Sequence, residues 1–251
     1  MSPAGSHRAT CNSIERNNGD MRITRLIAGT VSAALVGVTP IALATSADAA
    51  ATVTTATTLT SEKAAYTYGE TIFFDSAVTT SDPANPFAPG AATLYIQRAG
   101  SATWEPVSSD EGVSYLYFAD IEAGGNALYK VVYPGGVDGT GDVYTASESA
   151  PFAIQTSRKL SIKNPRGTFV KGKISPDYKK KKVLVQKKVG KKWKKFRTLK
   201  TSKKSVFTTT LPASRKRTYW RFVVKSDVQF AGTVAEGSTI RYRTAARTTL
   251  R

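Results

Sequence analysis

Lysine supplies the chemistry of this chain in clusters: Lys179-Lys180-Lys181-Lys182, Lys187-Lys188, Lys191-Lys192, Lys194-Lys195 and Lys203-Lys204, with Arg197 and Lys200 among them. An ammonium group is a compact, strongly hydrated point charge with three donors and no acceptor. Charges closer than a Debye length, about 8 Å at physiological salt, act as one field that attracts polyanions. The candidate ligand-binding residues are therefore Lys179, Lys180, Lys181, Lys182, Lys187, Lys188, Lys191, Lys192, Lys194 and Lys195. Because lysine outnumbers arginine in the patch, the expected attraction is diffuse and salt-sensitive rather than a bidentate readout of bases or sugars. A plainer use of the same residues is a solvated surface on which lysine blunts strand edges. Residues 156–251 carry 29 basic side chains against three acidic ones, an imbalance that favours polyanion affinity.

Other reactive residues are sparse. The one histidine is His7 and the one cysteine is Cys11, so a product lacking its first fifty residues has neither imidazole nor thiol. A zinc cage, a Cys nucleophile and a disulfide framework are then excluded. A Ser–Lys pair is available on paper from Ser202, Lys203 and Ser205, but no Gly-x-Ser-x-Gly turn occurs. Asp110-Glu111 and Asp120/Glu122 are carboxylates paired in sequence only, expected as turn and edge residues. Asp138-Gly139-Thr140-Gly141-Asp142 could wrap calcium through carboxylate and carbonyl oxygens, yet it lacks the EF-hand spacing, and such loops are ordinary between strands. No enzyme activity, cofactor or metal is expected.

The elements that must position the lysines are strands. Short β-branched and aromatic runs alternate with Gly/Pro/Asp/Asn/Ser clusters, the pattern of an all-β sandwich or barrel. Expected strands are Thr52–Thr60, Glu70–Val78, Ala91–Ala99, Thr103–Ser108, Val113–Ile121, Ala127–Tyr133 and Val143–Gln155. A second set follows at Lys159–Lys163, Thr168–Ile174, Lys182–Val189, Trp193–Lys200, Ser205–Leu211, Tyr219–Lys225 and Ser238–Thr244. On paired Lys182–Val189 and Trp193–Lys200 strands the ammonium groups would line one sheet face and its turn.

An internal repeat supports two units. Leu94-Tyr95-Ile96-Gln97-Arg98, Gly100 and Trp104 reappear as Val183-Leu184-Val185-Gln186-Lys187, Gly190 and Trp193, and Tyr129-Lys130-Val131-Val132 reappears as Trp220-Arg221-Phe222-Val223. Alternation then places Leu94, Ile96, Val183 and Val185 in cores and Gln97 and Gln186 on the opposite face. Trp104 and Trp193 read most simply as core anchors. Charge divides along the same boundary: residues 52–155 hold three basic and twelve acidic side chains, a net −9, against +26 for residues 156–251. The whole-chain +18 conceals a dipolar molecule.

These residues resemble the tandem bacterial immunoglobulin-like domains of secreted actinobacterial proteins. The second unit carries most of the resemblance, in Lys173-Ile174-Ser175-Pro176, Lys182-Val183-Leu184-Val185-Gln186-Lys187, Gly190-Lys191-Lys192-Trp193-Lys194, Thr210-Leu211-Pro212 and Tyr219-Trp220-Arg221-Phe222-Val223. The first matches more loosely, through Tyr66-Thr67-Tyr68-Gly69-Glu70 and Leu128-Tyr129-Lys130-Val131-Val132-Tyr133-Pro134-Gly135. The resemblance implies two tandem immunoglobulin-like sandwiches serving as binding, spacer or adhesion modules, and no catalytic set carries over. Where the family usually has a Gly-Asp turn after the Tyr219–Lys225 strand, this chain has Ser226-Asp227-Val228.

The amino-terminal part reads as an address. Met21-Arg22-Ile23-Thr24-Arg25, the apolar run Leu26–Val38, Pro40 and Ala47-Asp48-Ala49 follow the order of a secretory signal peptide. The expected organisation is an upstream extension at 1–20, a signal peptide at 21–49, an acidic immunoglobulin-like domain at 52–155, a basic one at 156–246 and a tail at 247–251. No transmembrane anchor is expected after cleavage. Export points the basic unit toward anionic cell-wall polymers or other extracellular polyanions, with nucleic acid bound only non-specifically. Head-to-tail self-association of acidic on basic units is the alternative. A membrane-active toxin would require an amphipathic basic helix, and none is apparent.

Overall fold

The computed structural model describes residues 50–111, 115–118 and 120–241. The expected leader, upstream extension and tail lie outside these residues, as does part of the Val113–Ile121 segment. Among the described residues the chain is all-β, with no helix.

The first half contributes β1 (Thr52–Val53), β2 (Thr55–Ser61), β3 (Ala65–Thr67), β4 (Phe74–Thr80), β5 (Ala92–Arg98), β6 (Glu105–Asp110), β7 (Ala127–Tyr133), β8 (Gly136–Val137), β9 (Val143–Tyr144), β10 (Ser147–Glu148) and β11 (Phe152–Ser157). The second contributes β12 (Lys159–Arg166), β13 (Phe169–Ser175), β14 (Lys182–Val189), β15 (Lys192–Lys200), β16 (Val206–Thr210), β17 (Thr218–Val224) and β18 (Thr233–Thr239). In the second half a three-stranded sheet, β12-β13-β16, packs against a four-stranded sheet, β15-β14-β17-β18. The first half contains the path β3-β11-β7-β5-β6, with β2 and β4 paired separately. The order β11-β7-β5-β6 thus repeats as β18-β17-β14-β15, so the sequence repeat is a repeat of sheet topology.

Two hydrophobic clusters hold these layers. Leu94 and Ile96 belong to the first, with Ile72, Tyr129 and Val131; Val183 and Val185 belong to the second, with Trp220, Phe222 and Val224. All four repeat positions are buried, as strict alternation requires. In the second core Phe207 from β16 meets Phe222 from β17 at a centroid distance of 5.5 Å. Gly172 on β13 leaves room for that ring, since a Cβ there would lie 2.1 Å from the Phe207 Cζ. Trp220 is buried with its indole N–H donating to Thr239 Oγ1 at 2.9 Å, which satisfies the polar group that burial would otherwise orphan.

Four strand expectations need correction. Thr52–Thr60 divides at Thr54 into β1, paired with β9, and β2, paired with β4, and the described residues of Val113–Ile121 form an isolated bridge from Leu116 to Ser76 rather than a strand. Val143–Gln155 is not one strand: it divides into β9 paired with β1, β10 paired with β7, and β11 paired with β3 and β7, as the chain changes sheet. The last strand among the described residues is Thr233–Thr239, which begins ahead of the expected Ser238–Thr244 because Asp227 closes a tight turn early; residues 242–244 lie outside the described residues. Its N–H donates to Phe230 O at 2.9 Å, and its Oδ1 accepts the Phe230 N–H at 3.0 Å.

The Ser226–Gly232 segment joins the two halves. Asn126 donates from its backbone N–H to Gln229 O (2.8 Å) and from Nδ2 to Val228 O (3.1 Å), while Ala231 N–H donates to Thr156 O (2.9 Å). Arg158, the one residue between β11 and β12, is buried beneath this segment. Its Nη2 contacts Asp227 Oδ2 at 2.9 Å, and its guanidinium lies 4.2 Å from the Phe230 centroid and 5.1 Å from that of Tyr178. Nε and Nη1 have no hydrogen-bond partner among the described residues, and the two rings stand against the charge there.

Candidate functional site

All ten candidate lysines are exposed. Lys179, Lys180 and Lys181 occupy the turn before β14, where Lys180 adopts a left-handed φ of 54°. Lys179 pairs with Asp177 at 2.5 Å, and Lys181 approaches Asp227 at 3.4 Å. Gly190 and Lys191 form the two-residue tip between Val189 and Lys192, with Gly190 at φ +59°, the conformation that a tight hairpin asks of its first central residue.

The lysines do not share one face, contrary to the expectation from the strands. Lys187 lies in register with Lys194, on the side of β14 that carries Val183 and Val185; its Nζ sits 5.9 Å from the Trp220 centroid. Lys182 and Lys188 lie on the opposite, outer face. Side-chain alternation forces this split. A bulge then resets the partner strand: Val185 opposes Arg197 and Gln186 opposes Lys195, leaving Phe196 as the extra residue. Phe196 turns inward against Trp220, with centroids 4.9 Å apart. Lys195 and Thr198, three residues apart, consequently reach the same outer groove, which a regular strand would not allow.

That groove has a volume of about 530 Å³ and is lined by Tyr178, Lys182, Leu184, Lys195, Thr198 and Lys225. Neither Lys182, Lys195 nor Lys225 forms a salt bridge among the described residues. Lys225 escaped the sequence reading, although its place directly after buried Val224 at the end of β17 was a signal for an outward side chain.

Further along the outer face, Arg221 lies 4.7 Å from the Trp193 centroid, and its Nε donates to Gln186 Oε1. Lys188 sits 5.8 Å from both the Trp193 and Tyr219 centroids. Trp193 is half-buried and outside the core, which corrects its reading as a core anchor; its register with Lys188 puts it on the wrong face for that role. Trp104 likewise carries Lys130 at 5.0 Å and lies outside the first core. Of the three acidic residues in the second half, Asp177 and Asp227 are paired with cations, and Glu236 stands opposite Arg221 on β18.

The remaining candidates are consumed by turns. Ser202 Oγ accepts the N–H groups of Lys204 (3.2 Å) and Val206 (3.3 Å), and Ser205 Oγ accepts the Tyr178 N–H (2.8 Å), so neither is poised against a lysine. Asp138 Oδ1 accepts from Thr140 Oγ1 (2.6 Å), Thr140 N (2.9 Å) and Asp142 N (3.0 Å); these bonds hold its carboxyl below the usual range. Asp142 Oδ1 accepts the Ala51 N–H at 2.7 Å. No group of three metal-ligating side chains occurs among the described residues. A crevice of about 690 Å³ lies at the junction of the halves, lined in part by Gln97, Arg98, Asn126, Gln155, Asp227 and Phe230.

No protein-family model matches the chain, and no curated protein matches it. Among solved structures, a tetra-tandem repeat in the extending region of a large adhesion protein is 12% identical, with 76% of this chain and 49% of that chain covered and a TM-score of 0.27. A DUF4785 family protein from Legionella pneumophila is 10% identical, with 72% of this chain and 54% of that chain covered and a TM-score of 0.35. The chain spans about half the length of these two structures.

Proposed function

We propose that this protein is a secreted, non-enzymatic binding module of two tandem immunoglobulin-like sandwiches, whose basic half attaches to anionic extracellular or cell-wall polymers. The observation that carries the reading is the exposure of all ten clustered lysines on a unit whose three acidic residues are largely committed to cations already. Such a surface has charge to spare for a partner, and a polymer that brings its own negative charge relieves the repulsion between lysines held in register. The three-against-four strand order of the second half supports the immunoglobulin-like reading. The acidic half projects from the attached unit or contacts a further partner.

The test is retention of residues 50–251 on purified anionic cell-wall fractions and on heparin at two salt concentrations. Retention should weaken steeply with salt, by roughly 0.7–0.9 in the slope of log K against log salt for each anionic group contacted, if the polymer condenses counterions as nucleic acids do. Absence of retention at low salt, or retention indifferent to salt, overturns the proposal.

A further inference from the structure

The outer face of β15-β14-β17-β18 differs from the rest of the basic surface. Lys182, Lys195 and Lys225 converge on one concavity from three strands or their ends, around Leu184 and Thr198. Lys188, four residues further along β14 than Leu184 and so roughly 13 Å away at strand rise, stands against Trp193 and Tyr219, and Arg221, in register with Gln186, stands against Trp193 as well. Those rings already carry cations, so they are poor platforms for stacked bases. Their effect is to hold long cationic side chains in place, which lowers the entropy lost when an anion is bound. Gln186 acts in the same way through the Arg221 Nε–H. Glu236, in register with Arg221, bounds the row on the β18 side. By contrast, Lys191 and Lys192 are exposed at the hairpin tip, and Lys179 is paired with Asp177 in a turn.

We infer that this face is a built track for a polysaccharide bearing anionic ester groups, with one charged sugar unit seated in the Lys182–Lys195–Lys225 groove and a second anionic group at Lys188 and Arg221. The apolar floor at Leu184 suits the C–H face of a sugar ring, and the three ammonium groups suit its phosphate or sulfate. The inference rests on the polyanion reading above and assigns it to one face. Because Lys188 lies roughly 13 Å along β14 from the groove floor at Leu184, a disaccharide spans the two poorly, whereas a longer chain engages both with the gain of an intramolecular second contact.

The test uses heparin fragments as the probe, a disaccharide and a dodecasaccharide, with calorimetry or fluorescence titration on residues 50–251. Wild type should bind the dodecasaccharide at least 100-fold more tightly than the disaccharide. The triple variant Lys182→Gln/Lys195→Gln/Lys225→Gln should lose at least tenfold more affinity than the charge-matched control Lys179→Gln/Lys191→Gln/Lys192→Gln. Unfolding midpoints of both should stay near wild type, since all six side chains are surface groups. Equal losses in the two variants overturn the track and leave the polyanion reading standing. No binding of either fragment at low salt overturns both. Single-stranded DNA of matched charge that binds more tightly than the dodecasaccharide, and is weakened by Trp193→Ala, would assign the face to nucleic acid and overturn the inference.

Discussion

The guanidinium of Arg221 lies 4.7 Å from the ring centre of Trp193, and at the repeat-equivalent positions the ammonium of Lys130 lies 5.0 Å from the ring centre of Trp104. A cation on one strand covers a tryptophan at the start of another in both halves, although the net charges of the halves are opposite. The contact therefore belongs to the repeated fold rather than to the basic surface. Arg221→Met should cost about 0.5–1 kcal/mol, and a double-mutant cycle with Trp193→Leu should recover a coupling of similar size in urea unfolding. A coupling near zero would show that the pair is adjacent without interacting.

Arg158 and Asp227 clamp the junction. Burial pushes the Asp227 carboxyl upward, but the hydrogen bond and charge of Arg158, aided by Lys181 and the Phe230 N–H, outweigh it and hold the carboxyl below its usual range. A depressed folded value means that this contribution is complete above the unfolded value of about 3.9 and is lost as pH falls through the folded one. Asp227→Asn should destabilise by about 2 kcal/mol at pH 7, because the buried guanidinium loses its charged partner. The difference between variant and wild type, read from urea midpoints, should shrink below about pH 4. A difference independent of pH would assign the effect to packing alone.

Gly172 is required for its missing side chain. Gly172→Ala places a Cβ within 2.1–2.7 Å of three Phe207 ring atoms and should destabilise by about 1–3 kcal/mol. Phe207→Leu should also destabilise, and the double variant should be less affected than the sum of the singles. Strict additivity in denaturant unfolding would refute the steric account.

The Asp138 carboxylate organises its loop through the Thr140 hydroxyl first, then through the Thr140 and Asp142 amides. Since these bonds depress its pKa, the order they confer is present above the usual carboxylate range and lost as pH falls through the depressed value. Amide exchange at Thr140 and Asp142, corrected for the intrinsic pH dependence, should accelerate in Asp138→Ala at pH 7. Addition of millimolar calcium at that pH should leave the wild-type exchange unchanged, because the carboxylate is already occupied by donors of its own loop. Calcium-dependent slowing would identify a metal site instead.

Alternation along the chain located the strands that carry the lysines and the aliphatic rows that face the cores. Val183 and Val185, like Leu94 and Ile96, are buried because period-two alternation leaves a β-branched or aliphatic row only one place to go. Counting charges located the opposition of −9 and +26. Composition could reveal these features because each is local or additive. Which lysines share a groove was settled by tertiary structure alone. The bulge at Phe196 reverses side-chain parity within β15 and brings Lys195 to the groove, and Lys225 reaches it from a strand distant in sequence. The same held for Trp104 and Trp193, whose repeated spacing suggested a core until register placed Trp193 beside Lys188, and for Ser226–Gly232, whose docking against Asn126 and Thr156 no local spacing announced. Register and packing between distant segments are set by the whole fold, and no local spacing encodes them.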